Sequence, residues 1–535
     1  MCMDLVWIKN GQFLHQVYFN ILQGMMDVLP RWERWTYWTV TISSICYSLY
    51  LLHLEGKKLK SDLYYSNFQA GWSWIASDQD LTDLEWLVWR NWLTTFLFYN
   101  GLHIVISQLC FCLKVQPQMR AAIVVVYDLS AIALVLGLRP LAMFLLKFFI
   151  VYLLTYTQRI SLLTITCCTF TALSLSRTFV YTQVEYLALT TMDLRFLYQV
   201  SNGFFELNLF SFAVEKVKLS TSKATTRPTL FDYMYYVFHV GKFFDGPIYL
   251  FPQFYSDSQT SSSPIPRCWR ESLFRVARLI FWALFLELQA HFLYLSALGE
   301  NLDGVKQLSL PALLGMCYIQ GQFFMVKYVL LYGMSGEFLR LDGVSPHPWP
   351  RCISWVYSYV DMWKHFDVGL YQFMKTYIYT PLGGSTAGPI RRVLASGICF
   401  FFIYAWHGAT KALFIWCLGN YLTGLLQAAA TALEHSHFGL RLKSYLGARN
   451  EQRLRAFLIT PIYITSCWHI FYFFYGDKIA WNIAERMFFK ASWGPVCIQY
   501  FIFTSGIHCA LQLRQKFARG CQEMKSQSSC DKKKQ

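Results

Sequence analysis

Long apolar stretches recur along the whole chain and are separated by short segments that carry most of its charge. A helix that crosses a bilayer needs about 20 predominantly apolar residues. Stretches 35–54 and 92–113 meet this length without any Asp, Glu, Lys or Arg. The pattern predicts about ten to twelve membrane-embedded helices, some of them short or re-entrant, because less uniform stretches follow at 121–138, 140–158, 160–176, 196–214, 279–298, 308–326, 393–406, 412–433, 456–476 and 493–513.

The amino-acid composition indicates a membrane protein. The chain has 535 residues, of which 55% are hydrophobic and 15% are charged. Soluble domains average about 45–50% apolar and about 25% charged residues, so a soluble chain this poor in charge would lack polar groups to cover its surface. The sequence therefore predicts an all-α polytopic membrane protein and excludes coiled coils, collagen and intrinsic disorder.

Two segments break the apolar pattern instead of continuing it. The first, 231–255, is strongly aromatic but is interrupted by charged residues and a Gly-Pro pair. The second, 340–384, is broken repeatedly by Gly, Pro and charge. Irregular backbone is tolerated at membrane depth only where protein buries it or where it lines a water-filled cavity. We therefore expect an interfacial or re-entrant piece at 231–255 and a functional site at 340–384.

The charged residues between the apolar stretches predict the orientation of the chain in the membrane. Cytosolic loops of membrane proteins carry an excess of Lys and Arg. The tail at 514–535 is basic, whereas the first loop, at 55–90, carries more acidic than basic residues. We therefore predict a cytosolic segment at 1–34, one transmembrane domain at 35–513 with an even number of spans, and a basic cytosolic tail at 514–535.

The net charge of +16 fits this topology together with contacts to anionic membrane lipids. A nucleic-acid partner is not expected, because the basic residues form no clustered stripe. The chain ends in Lys532-Lys533-Lys534-Gln535, with lysines third and fourth from the C-terminus. That spacing matches a dilysine retrieval signal for the endoplasmic reticulum, and a solvated basic tail is the alternative.

Ionisable residues inside apolar helices are costly and by default indicate function. Lys147 and Lys327 are expected to snorkel towards an interface with their long stems. Asp128 and Glu206 are expected to pair with neighbouring helices. The remaining candidates for chemistry lie elsewhere in the chain.

Glu287 and His291 are four positions apart and therefore share one helix face. A metal site with two ligands is one interpretation, although no third ligand is evident. A buried, hydrogen-bonded pair that lines a cavity is the favoured interpretation.

His407 and Asp367 are the strongest candidates for chemistry. His407 lies in an apolar and aromatic run, where desolvation keeps an imidazole neutral and able to act as a general base. Gly408 leaves space for a ligand to approach. A core histidine satisfied by its neighbours is the alternative. Asp367 also lies among aromatic residues, and on its own it is interpreted as half of an ion pair with Lys364 or Arg351.

These two segments resemble the membrane-bound O-acyltransferase superfamily. Its signature is a His that follows Trp inside an apolar helix, as in Trp406-His407-Gly408, with a second polar residue upstream in a broken region. Most members have Asn at that upstream position, whereas the branch that acylates hedgehog-type proteins has Asp, as at Asp367. Further matches to that branch are Arg340-Leu341-Asp342-Gly343, Pro350-Arg351-Cys352, Met362-Trp363, the run from Tyr379 to Ser385, Gly246-Pro247-Ile248 and the Glu287-x-x-x-His291 helix.

The resemblance implies a fold and an activity. The fold would be a helical bundle around a central tunnel, with the catalytic region at 338–420. The activity would be transfer of a palmitoyl group from palmitoyl-CoA to the N-terminal cysteine of a secreted hedgehog-type protein, with EGF-like ligands as further acceptors. The location would be the membrane of the endoplasmic reticulum, or alternatively the Golgi. Ala409 departs from the branch, which usually has a second Gly there.

The resemblance also implies roles for single residues. His407 would be the general base, and Asp367 would orient the imidazole or position the thioester. The expected lining of the acyl tunnel is Trp363, Trp406, Gly408, His291 and Glu287, with an aromatic core as the alternative for the two tryptophans.

Cofactor and donor contacts follow from the same resemblance. Phosphate recognition favours Arg and Lys, so the candidates for the CoA phosphates are Lys364, Lys375, Arg391 and Arg392. A solvated positive face explains those four residues as well. A haem b held by Cys352 is implied on the cytosolic side, since thiolate is a known axial ligand of haem iron.

Three other functions stay open at this stage. An acyltransferase of the same superfamily that acts on a lipid or sterol hydroxyl is disfavoured by the Asp at 367. A transporter or channel would make the Trp-His-Gly signature a coincidence. A non-catalytic lipid-binding regulator is disfavoured because both His407 and Asp367 are present.

Overall fold

The protein, as a computed structural model, is described for residues 28–63, 67–175, 185–221, 227–259, 265–386 and 388–531. Almost all of this is helical, and the exception is an antiparallel pair of two-residue strands, β1 (Phe68–Gln69) and β2 (Gln79–Asp80). The predicted all-α class is therefore confirmed. Residues 1–27 of the predicted N-terminal segment and the dilysine motif at 532–535 lie outside the described residues.

In the described chain up to residue 221, the helices are α1 (Arg31–Leu59), α2 (Leu84–Cys112), α3 (Pro117–Leu136), α4 (Leu138–Leu154), α5 (Ile160–Leu175) and α6 (Met192–Thr221). Local sequence sets several of their ends. The Asp83 side chain caps α2 by accepting a hydrogen bond from the Trp86 backbone N–H. Pro117 lies in the first turn of α3, where its missing N–H costs nothing.

The aromatic segment 231–255 folds into three short helices, α7 (Leu230–Phe238), α8 (Val240–Phe243) and α9 (Phe251–Ser258). Every residue from 232 to 249 is buried, including Lys242 and Asp245. The irregular backbone around Gly246 is therefore enclosed by protein, as the membrane requires of non-helical backbone.

The rest of the described chain adds α10 (Ile265–Phe292), α11 (Leu295–Glu300), α12 (Leu302–Gln307), α13 (Leu310–Leu341), α14 (Tyr359–Phe366), α15 (Val368–Met374), α16 (Pro389–Trp406), α17 (Lys411–Glu434), α18 (His437–Ala484) and α19 (Trp493–Asp531). Segment 340–384 is broken as predicted. It contains the end of α13, an irregular stretch, the short helices α14 and α15, and a π-helical turn at Lys375–Tyr379.

Eight of the described helices are long and apolar enough to cross a membrane: α2, α3, α4, α13, α16, α17, α18 and α19. The other four predicted stretches fall on α1, α5, α6 and α10, which are shorter or contain more polar and weakly apolar residues. The protein is a polytopic membrane protein by this measure. Helix α13 is the most deeply placed of the eight, with 67% of its span buried, and it packs against α1, α2, α8 and α10.

Several buried charges within the bundle are paired across helices. Lys147 of α4 lies 2.9 Å from Glu206 of α6, and Asp128 of α3 lies 2.7 Å from His103 of α2. The predicted pairing of Asp128 and Glu206 with neighbouring helices is therefore confirmed. The expectation that Lys147 and Lys327 snorkel is wrong, because both are buried and Lys327 pairs with two carboxylates at the start of α2. A buried ammonium is tolerated when it is paired in this way.

Candidate active site

A cavity of about 960 Å³ lies inside the helix bundle. Its walls come from α6, α13, the broken segment with α14 and α15, and the chain from the end of α16 to α19. Five of the predicted site residues line it, and they are Trp363, Asp367, Trp406, His407 and Gly408. The fold thus brings together two segments that are separated by about forty positions in the sequence.

His407 ends α16 at a sharp turn. Its backbone N–H donates to the Ile403 carbonyl at 3.0 Å and closes the last helical turn. Gly408 follows with a φ of +104°, a conformation that residues with a side chain rarely adopt. Helix α17 begins at Lys411. Glycine at 408 is therefore needed for the turn between α16 and α17.

The His407 ring lies among aromatic rings. Its centroid is 4.9 Å from that of Trp406 and 5.4 Å from those of Trp416 and Phe473, all at steep angles. Within the described residues, neither ring nitrogen has a hydrogen-bond partner. The alternative of a core histidine satisfied by its neighbours loses support, because the ring nitrogens stay available to a ligand in the cavity.

Asp367 occupies the junction between α14 and α15. Its Oδ1 accepts the Leu370 backbone N–H at 2.8 Å, which caps α15. Its Oδ2 accepts the Tyr332 hydroxyl at 2.9 Å. The expected ion pair with Lys364 or Arg351 is wrong: Lys364 is exposed, and both carboxylate oxygens bind other donors. For the same reason Asp367 does not hold the imidazole of His407 in this structure.

The two broken segments meet beside the cavity. A Cβ at Gly369 would lie 2.2 Å from the Ile248 carbonyl oxygen, so only glycine fits this contact. Asp245, just before Ile248 in the chain, also lines the cavity. The candidate site predicted at 340–384 is therefore completed by a residue from the aromatic segment 231–255.

The cavity lining includes residues from regions that the sequence predicts on opposite faces of the membrane. Ser354 and Tyr357 belong to this lining, and the Tyr357 hydroxyl accepts a hydrogen bond from Arg514 at 3.2 Å. Arg514 is the first residue of the predicted cytosolic tail. Glu85, which also lines the cavity, belongs to the loop predicted to be lumenal. The predicted topology therefore connects this cavity to both sides of the membrane.

Glu287 and His291 do not line this cavity, contrary to the sequence-based expectation. Glu287 accepts the indole N–H of Trp86 at 2.9 Å and a side-chain amide from β2 at 2.5 Å. His291 Nε2 accepts the Trp72 backbone N–H at 3.0 Å. The two side chains therefore fasten the loop that carries β1 and β2 to α10. The expected hydrogen-bonded pair of side chains is not formed, because His291 Nδ1 lies 2.7 Å from the Glu287 backbone carbonyl oxygen and the Glu287 carboxylate binds other donors.

The predicted CoA ligands are not brought together at the cavity. Lys364, Lys375 and Arg391 are exposed and Arg392 is half-buried, and none of the four lines the cavity. Arg514, which binds Tyr357 of the cavity lining, is a basic residue from the tail predicted to be cytosolic. Sequence reasoning missed it because it continues a basic tail and carries no signal of its own.

Tyr332, Trp416 and Asn420 were also missed. Asn420 is 1% exposed and lines the cavity, and its Nδ2 has no hydrogen-bond partner among the described residues. Trp416 contacts the His407 ring from the same helix, one turn earlier. The four-residue spacing of Trp416 and Asn420, shortly after the Trp-His-Gly signature, is the sequence feature that places both on one face of α17.

Cys352, the expected haem ligand, is half-buried beside the 3-10 turn Ile353–Trp355. It packs against the apolar core. Its neighbours Ile353 and Ser354 line the cavity, whereas Cys352 does not. A haem needs an open slot beside the thiolate, so this setting does not fit the group and no step is derived through it.

Comparison with known proteins agrees with the motifs. The profile described as "MBOAT, membrane-bound O-acyltransferase family" matches residues 144–468. The Mus musculus protein-cysteine N-palmitoyltransferase HHAT is 30% identical over 81% of this chain and 88% of its own length. The Drosophila melanogaster protein-cysteine N-palmitoyltransferase Rasp is 29% identical over 48% of this chain and 50% of its own. A Mus musculus HHAT-like protein is 25% identical over 74% of this chain and 78% of its own.

Proposed function

The chain belongs to the membrane-bound O-acyltransferase family, and we propose that it transfers a palmitoyl group from palmitoyl-CoA to the N-terminal cysteine of a secreted hedgehog-type protein. Members of this family use acyl-CoA donors. The observation that carries the proposal is a cavity of about 960 Å³ that is lined by both His407 and Asp367. The two similar protein-cysteine N-palmitoyltransferases support the choice of acceptor.

A tunnel suits this pair of substrates. Acyl-CoA is cytosolic and a secreted acceptor is lumenal, so their reacting atoms have to meet inside the membrane. The thioester enters past Tyr357 and Arg514, and the acceptor enters past Glu85. Trp363 and Trp406, which line the cavity, contact the acyl chain near the reacting carbon.

The reaction joins the α-amine of the acceptor to the thioester carbonyl carbon. The new C–N bond forms as the C–S bond breaks, and the nitrogen loses a proton. His407 takes that proton as general base, because its ring nitrogens have no other partner among the described residues. The proton then passes to the departing thiolate, which leaves as CoA-SH, and the product is an amide.

Negative charge develops on the carbonyl oxygen during the attack and needs a donor already in place. The Asn420 side-chain amide is such a donor, since Nδ2 is unpartnered and lies on the cavity wall. Asp367 does not contact the atoms that form the new bond. Its carboxylate is fixed by Tyr332 and by the N-terminus of α15, so it shapes the wall on which the thioester lies.

We propose the endoplasmic reticulum membrane as the site of the reaction, because a secreted acceptor enters the secretory pathway there while acyl-CoA is available on the cytosolic side.

The direct test incubates purified full-length protein with labelled palmitoyl-CoA and a short hedgehog N-terminal peptide. A peptide with a free N-terminal cysteine should become labelled at its α-amine. The same peptide with an acetylated N-terminus is the matched control and should stay unlabelled. Transfer to sterol or glycerolipid hydroxyls in place of the peptide would contradict the proposed acceptor and favour the lipid acyltransferase alternative.

A further inference from the structure

Helix α13 presents three hydroxyl groups along one face. They belong to residues 328, 332 and 335, whose spacing of four and three places them on successive turns. Each hydroxyl donates to a different carboxylate, and the pairs are Tyr328 with Glu85 at 3.3 Å, Tyr332 with Asp367 at 2.9 Å, and Ser335 with Asp245 at 2.8 Å. All three carboxylates line the same cavity as His407.

The three carboxylates differ in how their charge is compensated. Glu85 has the Lys327 ammonium 2.7 Å away. Asp367 has one donor on each oxygen. Asp245 has only the Ser335 hydroxyl on Oδ1, and its Oδ2 has no partner among the described residues although the residue is only 3% exposed. Leaving a buried carboxylate oxygen without a donor costs free energy, so this position is suited to a ligand that supplies one.

The nearest lysine in sequence does not fill this gap. Lys242 is fully buried, and its Nζ lies 4.1 Å from the centre of the Tyr236 ring. It forms no ion pair with Asp245, three positions later, within the described chain. No cationic side chain of the described residues pairs with Asp245, so the cavity leaves this position open to an ammonium supplied by a ligand.

The turn that carries Asp245 is held next to the Trp-His signature. A Cβ at Gly246 would lie 2.6 Å from the Phe204 ring, and the Phe204 ring centroid is 6.1 Å from that of Trp406. One side chain of α6 thus separates the turn from Trp406, which directly precedes His407. A group bound at Asp245 is consequently within the same chamber as the imidazole.

We propose that Asp245 binds the α-ammonium group of the acceptor cysteine through Oδ2. This inference rests on the proposed function and adds the residue that recognises the amine. A carboxylate binds an ammonium by charge-assisted hydrogen bonds, which are roughly twice as strong as neutral ones. A lipid hydroxyl offers one neutral donor, so Asp245 favours an amine over a hydroxyl. The ammonium gives one proton to water before the attack, and the second passes through His407 to the CoA sulfur.

The test compares Asp245→Asn with wild type in the purified full-length protein. Asn keeps the size of the side chain and the hydrogen bond from Ser335 but removes the charge. We expect the KM for the free-cysteine peptide to rise about tenfold to a hundredfold, in line with the loss of a hydrogen bond to a charged group, while the KM for palmitoyl-CoA stays unchanged. An unchanged peptide KM would overturn the inference.

A binding measurement separates this inference from the proposed function. Wild type should bind the free peptide more tightly than the N-acetylated peptide, and Asp245→Asn should lose that preference. If wild type shows the preference but forms no product, the proposed function fails and the inference stands. Equal binding of both peptides by wild type overturns the inference whatever the catalytic result.

Two further variants guard against a folding defect. Ser335→Ala keeps the Asp245 charge and is expected to keep the preference for the free peptide. Should Asp245→Asn unfold, Asp245→Glu, which keeps the charge on a longer stem, is expected to weaken binding of the free peptide and to leave the KM for palmitoyl-CoA unchanged. Unchanged binding of the free peptide by Asp245→Glu would contradict the assignment.

Discussion

Two groups of polar residues inside this bundle differ in how completely their hydrogen bonds are satisfied. In the first, the paired cluster, Asp342 lies 3.2 Å from His103 Nε2 and 3.1 Å from His239 Nε2, and it also accepts the hydroxyls of Ser107 and Tyr235. His103 Nδ1 is 2.7 Å from Asp128. Every ring nitrogen and both Asp342 oxygens therefore have a partner.

The cavity around His407 is the opposite case. The His407 ring nitrogens, Asp245 Oδ2 and Asn420 Nδ2 lack partners among the described residues although all three residues line one cavity. Buried polar groups are nearly always hydrogen-bonded, so each exception asks for an explanation. The contrast teaches that burial of charge does not by itself indicate chemistry, whereas unfilled hydrogen-bonding capacity beside an open cavity does.

The paired cluster also has the composition of a metal site, with two histidines and a carboxylate close together. Its hydrogen bonds argue against that role. The Gly241 backbone N–H donates to His239 Nδ1 at 3.0 Å, so Nε2 carries the proton and donates to Asp342. A protonated Nε2 has no lone pair for a metal ion. Asp342 and both histidines are fully hydrogen-bonded in this network, although Oδ2 of Asp128 has no partner among the described residues.

The largest expected effect comes from the cavity. His407→Ala removes the general base, and the rate of transfer should fall about a hundredfold to ten-thousandfold. The thermal midpoint of the detergent-solubilised protein should stay within a few degrees of wild type, because no hydrogen bond of the described chain is lost. A variant that keeps full turnover would contradict the assignment of the base.

Substitution in the paired cluster should lower the stability of the protein instead of its rate of transfer. Asp342→Asn removes the charge that several buried donors share, and breaking a buried ion pair costs about 3–5 kcal/mol of unfolding free energy. A large drop in the thermal midpoint is the expected readout. Tyr235→Phe removes a single donor and serves as the milder control. A stable Asp342→Asn protein would show that the cluster is not structural.

A smaller effect is expected from the donor to the developing oxyanion. Asn420→Ala should lower kcat about a hundredfold, with little change in the KM for either substrate. The control is Asn202→Ala, since Asn202 lines the same cavity but already donates to Glu206 at 3.0 Å. Equal losses of kcat in both variants would remove Asn420 from the chemistry.

The smallest effect is expected outside the cavity, at the loop anchor. Glu287→Gln keeps the size of the side chain and weakens its charge-assisted bonds to Trp86 and β2, so we expect a stability loss of about 1–2 kcal/mol. Transfer per folded molecule should be unchanged. A selective loss of kcat at full stability would restore Glu287 to the tunnel, where the sequence placed it.

Much of the fold was predictable because it depends on local pattern. All twelve apolar stretches fall on helices, since a run of about 20 apolar residues can satisfy its backbone in lipid only within a helix or a closed barrel. The signature around His407 and the break at Asp367 were also visible, because both interrupt an apolar context. These features need no knowledge of which helices are neighbours.

The errors concern pairing between distant parts of the chain. Lys147 meets Glu206 only because α4 packs on α6, and Asp367 meets Tyr332 only because α14 and α15 pack on α13. The open oxygen of Asp245 follows from which donors fail to reach it. Helical periodicity reports the face of a residue but not the residue opposite, so such contacts could not be derived from sequence.

The central claim is that catalysis resides in the cavity with unpartnered groups and stability in the paired cluster. The most direct test measures kcat and the thermal midpoint on the same detergent preparations of wild type, His407→Ala and Asp342→Asn, with palmitoyl-CoA and the free-cysteine peptide as substrates. The expected result for His407→Ala is a large fall in kcat with an unchanged thermal midpoint. The expected result for Asp342→Asn is a large fall in the thermal midpoint with an unchanged kcat per folded molecule. Loss of both properties together in His407→Ala, or of neither in Asp342→Asn, would contradict the claim.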